Sequence, residues 1–251
     1  MNISSALLCR GFIFVCLLLP YLSSADDKLI KITSLEWPPY TASGLPEQGM
    51  SALVAKKAFA AMGYKLEISF YPWQRAVNMA KADSAYMGYF PEYYSKDTEK
   101  AFVFSESMGI SPLGFAENKS KPIVWNSLED LKNMAIGTVS GYVNTEAFDQ
   151  MAISGELSVK PVVSDDKNLL KLGGKRIDLA VIDKNVMVYL LKNEKSLASV
   201  SGQLAFNSKL LEEKGLYICF KKTAEGEKLA KIYNEGLKKI DVEGIMKSYS
   251  Y

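Results

Sequence analysis

Five residues at two predicted strand ends carry the most chemistry in this chain: Glu36, Trp37, Tyr40, Trp73 and Arg75. Two indole faces, a phenol, a carboxylate and a permanent cation can grip a small polar molecule by ring contact and charge-assisted hydrogen bonds. A third cluster, Tyr89-Phe90-Pro91-Glu92-Tyr93-Tyr94, reads as a loop, and its density of rings makes Tyr89 a further candidate for ligand contact. The plainer readings are that the tryptophans fill a core and that Arg75 pairs on a helix surface with Glu36 or Asp83. The chain has no histidine. That excludes Ser-His-Asp and Cys-His catalysis and every histidine metal site. No Asp/Asn/Gly run has calcium-loop spacing, so the sequence calls for no metal and no cofactor.

The elements that must position these residues follow from hydropathy. Leu29-Ile30-Lys31-Ile32 precedes Glu36-Trp37-Pro38-Pro39-Tyr40, and Leu66-Glu67-Ile68-Ser69-Phe70 precedes Tyr71-Pro72-Trp73-Gln74-Arg75. Each run alternates at period two and stops at a proline–aromatic cluster, the pattern of a strand followed by a loop. Residues 48–63 between them read as a helix that ends at Gly63. The unit is β-α-β, with parallel strands whose carboxyl ends point the same way, and ligands bind outside such ends in open α/β sheets. Further strands are expected at 83–88, 102–104, 109–116, 134–138, 157–163, 177–182 and 215–220. Further helices are expected at 75–82, 143–151, 165–172, 183–191, 226–240 and 241–249.

Composition adds an address. Of 251 residues, 48% are apolar and 23% charged, the balance of a water-soluble folded chain. The net charge of +2 suggests neither nucleic acid nor a membrane surface as partner. Arg10, the apolar run 11–21 and Ser23-Ser24-Ala25 have the order of a cleaved signal peptide, with cleavage expected after Ala25. The apolar run is too short to span a bilayer, which needs about 20 residues. Cys9 and Cys16 would leave with the signal, so an exported chain keeps only Cys219 and has no internal disulfide.

Four motifs in order resemble the bacterial family 3 extracellular solute-binding proteins, the polar-amino-acid group of ABC transporter subunits. They are Glu36-Trp37-Pro38-Pro39-Tyr40, Lys100-Ala101-Phe102-Val103-Phe104-Ser105, Leu128-Glu129-Asp130-Leu131-Lys132 through Gly141, and Arg176-Ile177-Asp178-Leu179-Ala180 followed by Ile182-Asp183. The resemblance runs from about Leu29 to the C-terminus. It implies an α/β, two-lobe periplasmic binding protein-like fold, each lobe a sheet flanked by helices. Residues 26–113 and 205–251 would form lobe one and residues 114–204 lobe two. The crossings would fall near 118–122 and 204–210, and both chain ends would lie in lobe one. It also implies a periplasmic monomer that captures a small polar, amino acid-like solute between the lobes for an ABC permease. Trp37 and Trp73 would sandwich the ligand. Tyr142, Val143 and Asn144 would offer helix-terminal N–H groups to an anion. Asp183 would hold an ammonium, or only cap the helix that it begins.

One departure stands out. The resembled amino-acid binders carry an arginine shortly before Phe-Ser, and here residues 94–100 contain none. Outside the signal the only arginines are Arg75 and Arg176. A planar guanidinium is the best clamp for a carboxylate. Either Arg75 supplies it, or Lys96 substitutes as a point charge, or the ligand is no simple α-amino acid. A dehydratase-type enzyme, with Glu92 or Asp183 as general acid, and a ligand-presenting sensory subunit are the alternatives.

Overall fold

A computed structural model describes residues 28–249. The expected signal peptide lies outside them. In chain order the elements are β1 (Lys28–Ser34), α1 (Met50–Ala60), β2 (Tyr64–Phe70), α2 (Trp73–Ala82), β3 (Gly88–Glu92), α3 (Lys96–Ala101), β4 (Phe102–Phe104) and β5 (Ile110–Asn118). There follow β6 (Ala135–Val139), α4 (Glu146–Ile153), β7 (Ser158–Val162), α5 (Asp165–Gly173), β8 (Leu179–Asp183) and α6 (Lys184–Asn193). The last are β9 (Leu204–Phe206), β10 (Glu212–Gly215), β11 (Tyr217–Lys221), α7 (Ala224–Leu237) and α8 (Val242–Ser248).

Two sheets form. The first has the order β2-β1-β3-β11-β4, the second β10-β5-β8-β6-β7 with β9 on the free end of β5. β1 and β2 are parallel, with Ile32 opposite Ile68, as their alternation requires. β6 is parallel to both β7 and β8. Helix α1 packs against β2, α7 and α8, while α2 covers β1 and β3. In the second lobe α5 and α6 pack on the sheet around β8. Both ends of the described chain therefore belong to the first lobe.

Helix α1 starts two residues later than its apolar periodicity suggests. Gly49 stands before it at φ 108°, and a Cβ there would lie 2.4 Å from the carbonyl oxygen of Tyr40. Only glycine tolerates both the angle and the approach.

The structure corrects three expectations. Residues 83–87 are not a strand, and the aromatic segment expected as a loop is strand β3, buried throughout. β3 is a central strand and all five of its residues are buried, so neither face meets water and its sequence does not alternate. The crossings also lie elsewhere. The chain leaves the first sheet after β4 and returns to it at β11, so the passages are residues 105–109 and Leu216. Residues 118–121 form the turn that closes β5, and β9 within 204–210 pairs with β5. The expected strand 215–220 is two strands, β10 and β11, one in each sheet.

Candidate functional site

The two sheets aim their parallel strand ends at each other. From the first lobe come Trp37 after β1, Trp73 after β2, and Glu92 and Tyr93 at the end of β3. From the second come residues 141–144 after β6, Asp165 after β7 and Asp183 ending β8. This is where open α/β sheets bind ligands.

The lobes touch along this line. Trp73 Nε1 donates to the carbonyl of Gly141 at 2.8 Å, and its ring meets Tyr142 edge-on at 5.7 Å. Gly141 holds φ 82°, which turns that carbonyl toward Trp73. Tyr40 donates its hydroxyl to Asp183 Oδ2 at 2.9 Å and accepts from Asn185 Nδ2 at 2.8 Å. Ser111 Oγ donates to the same Asp183 oxygen at 2.5 Å and shares a second short bond with the Tyr93 hydroxyl. At the mouth Lys96 pairs with Glu146 at 2.7 Å. Trp37 stacks on Tyr40 with ring centres 4.7 Å apart.

An apolar-walled space of about 30 Å³ remains inside, lined by Leu35, Trp37, Trp73, Glu92, Tyr142 and Val143 among others. A second, of about 10 Å³, reaches Asn144, Asp165 and Asp183. A polar groove of about 710 Å³ opens beside them along α3 and α4.

Three buried carboxylates face this region. Burial raises Glu92 to about 8, against hydrogen bonds from the Tyr89 hydroxyl and the Tyr93 N–H that favour its charge. Burial, then the negative charge of Asp183, raises Asp165 to about 7. Burial raises Asp183 to about 6, opposed by Ser111, the Val186 N–H and Tyr40. Desolvation dominates each because a charge inside a low-dielectric crevice loses its water.

The expected site residues divide. Trp37, Trp73, Tyr142, Val143, Asn144 and Asp183 come together at the crevice. Glu36, Arg75 and Tyr89 are not among its lining residues. Glu36 is exposed and binds the backbone and hydroxyl of Ser43. Arg75 lies on the exposed side of α2 over the Tyr71 ring, 5.0 Å from its centre. Tyr89 is interior, packed on Phe102 and beneath Trp73. Helix α4 begins at Glu146 rather than at 143, capped by Thr145. The Asn144 N–H is already given to Asp149 Oδ2 at 2.9 Å, so this turn presents a carboxylate where an anion cradle was expected. Asp183 does cap α6, through Val186 at 2.8 Å. Asp165 and Ser111 were not expected at the site, whereas Glu92 and Tyr93 were expected in the aromatic cluster 89–94 and Glu92 also as a general acid. The signal for Asp165 was available, since it opens a helix after a strand as Asp183 does.

The sequence matches no family model and no curated protein. Solved structures do match. A histidine kinase sensor domain with similarity to periplasmic binding proteins superposes with TM-score 0.74 at 15% identity, over 88% of this chain and 95% of that one. The fold is the two-lobe fold of periplasmic binding proteins. An ancestral arginine-binding protein bound to arginine gives TM-score 0.70 at 16% identity, over 88% and 96%. The GluR0 ligand-binding core from Nostoc punctiforme in complex with L-glutamate gives 0.68 at 19%, over 87% and 96%. No helix among the described residues of this binding-protein fold is long and apolar enough to cross a membrane.

Arg75→Lys keeps the charge and loses the planar fork. Because Arg75 lies outside the crevice, the change is expected to alter solute affinity by less than about 0.5 kcal/mol in calorimetry. A tenfold loss would return Arg75 to the site.

Proposed function

We propose that this chain captures a small polar solute between its lobes in the periplasm and presents it, as a monomer, to an ABC permease of the inner membrane. The observation that carries the reading is the interlobe crevice itself, with aromatic and acidic side chains from both lobes at facing strand ends. The space of about 30 Å³ beside Trp37 and Trp73 has room for water and little else. A solute therefore enters with the lobes apart, and closure buries it. The ligand shifts this equilibrium only by its difference in affinity for the open and closed forms. Capture rather than catalysis is supported by the binding proteins among the solved structures of this fold.

A second reading, a sensory subunit, is favoured by the similarity to a kinase sensor domain. Native mass spectrometry of exported protein is expected to find one solute per chain, lost on denaturation. Repeated absence of any bound molecule would count against capture. Crosslinking in membranes separates the two roles, since it yields either a permease or a receptor.

A further inference from the structure

We propose that the crevice takes a small organic cation without a carboxylate, an amine or ammonium set among Trp37, Trp73 and Tyr142 with Glu92 and Asp165 as its counter-charges. The inference rests on the interlobe reading and names the chemical class of its ligand.

The charges argue it. Glu92 and Asp165 are each 6% exposed, Asp183 1%, and all face the closed crevice. No lysine or arginine lines either small space, whereas Lys96, Lys100 and Lys214 line the larger groove beside them. The charge of Lys214 reaches Glu92, but Lys214 lines neither space and the nearby cations have other partners. Lys214 lies over the Tyr93 ring and pairs with Glu212 at 3.2 Å, Lys96 is held by Glu146 at the mouth, and Arg75 is on the outer face of α2. A carboxylate entering here would press these buried acids further toward their protonated forms and would find no guanidinium to receive it. An ammonium would favour their ionised forms, pair with the carboxylates so formed, and meet the ring faces as a cation–π surface.

A metal ion is a poor alternative. Among the described residues no three His, Cys, Asp or Glu side chains converge as a metal site. A second observation points to an organic occupant. Trp37 lines both spaces, and its buried Nε1 closes no hydrogen bond. Asp165 feels this N–H and the Tyr142 hydroxyl, which both favour its charge, but the N–H is not in bonding geometry. A buried donor without an acceptor is costly, and an uncharged ligand oxygen would satisfy it. An amine that also carries a hydroxyl meets both demands.

The test compares each amine with the amino acid that differs from it by one carboxylate: ethanolamine with L-serine, cadaverine with L-lysine, agmatine with L-arginine, tyramine with L-tyrosine. Calorimetry and thermal shift on the full exported chain are expected to show at least one amine bound about tenfold or more tightly than its partner. Asp165→Asn and Glu92→Gln should each weaken that amine about tenfold, with thermal midpoints near native because the amide keeps the shape and an accepting oxygen without the cost of ionising a buried acid. Tighter binding of the amino acids overturns the cation class and leaves interlobe capture standing. Binding of none of these amines at millimolar concentration, or unchanged amine affinity in both variants, also overturns it. Failure of capture itself is read separately, from the absence of any co-purified solute.

Discussion

Raising the pH from about 5 to about 8.5 is expected to cost the folded protein roughly 8 kcal/mol in urea unfolding. Glu92, Asp165 and Asp183 hold protons in the folded state up to about 8, 7 and 6. In the unfolded chain they release them near 4. Between these limits the folded state binds more protons, so stability is fully present below about pH 4 and is lost as pH rises through the folded values. Other carboxylates act in a different window. Asp97, Asp130, Glu156, Asp178 and Glu235 are lowered by lysines or backbone N–H groups, so their contribution is lost only as pH falls through their own values. The absence of histidine leaves the neutral range to the buried acids. Glu92→Gln should flatten the slope more than either aspartate variant, because its shift is the largest. Stability that stays level or rises across this range would show that these groups are solvated, and the crevice open.

Asp183→Ala is expected to destabilise the protein by about 2–4 kcal/mol near neutral pH. Three donors lose one acceptor: the Val186 N–H that opens α6, the Tyr40 hydroxyl from the opposite lobe and the Ser111 hydroxyl on β5. Tyr40 and Ser111 are fully buried, so no water replaces the carboxylate. Asp183→Asn keeps an oxygen for the cap and an amide that the hydroxyls can accept from, and it removes the desolvated charge. Its cost should be about 1 kcal/mol or less. Equal losses in the two variants would mean that charge, not hydrogen bonding, is what Asp183 supplies. Denaturant unfolding of both proteins measures the difference.

Much of the fold was legible because local signals agreed with tertiary ones. Alternation placed β1 and β2, and Asp183 and Asp241 marked two helical starts that the structure keeps. The failures have separate causes, the first of them burial on both faces. β3 is wedged between two neighbours, so Tyr89 and Phe90 read as loop aromatics while packing as core. The crossings were misplaced because a polar, proline-bounded segment at 118–122 looks like a hinge, whereas the real passages are a short irregular run and a single leucine. At the site, strand ends were visible and side-chain direction was not. Arg75 stood out by scarcity, but on α2 it faces outward beside Tyr71 while Trp73, two residues earlier, faces in. Asp149 sits five residues beyond Asn144, and nothing in that spacing announces that it takes the N–H expected for a ligand.

Small-angle scattering tests the central claim most directly. Chain stripped of solute by denaturation and refolding is compared with the same chain saturated by the co-purified molecule. Interlobe capture predicts a smaller radius of gyration with solute, and a reduced response in Trp73→Phe, which cannot donate to the Gly141 carbonyl across the crevice. A bound solute that leaves the radius of gyration unchanged, in native protein and variant alike, would contradict closure of the two lobes around it.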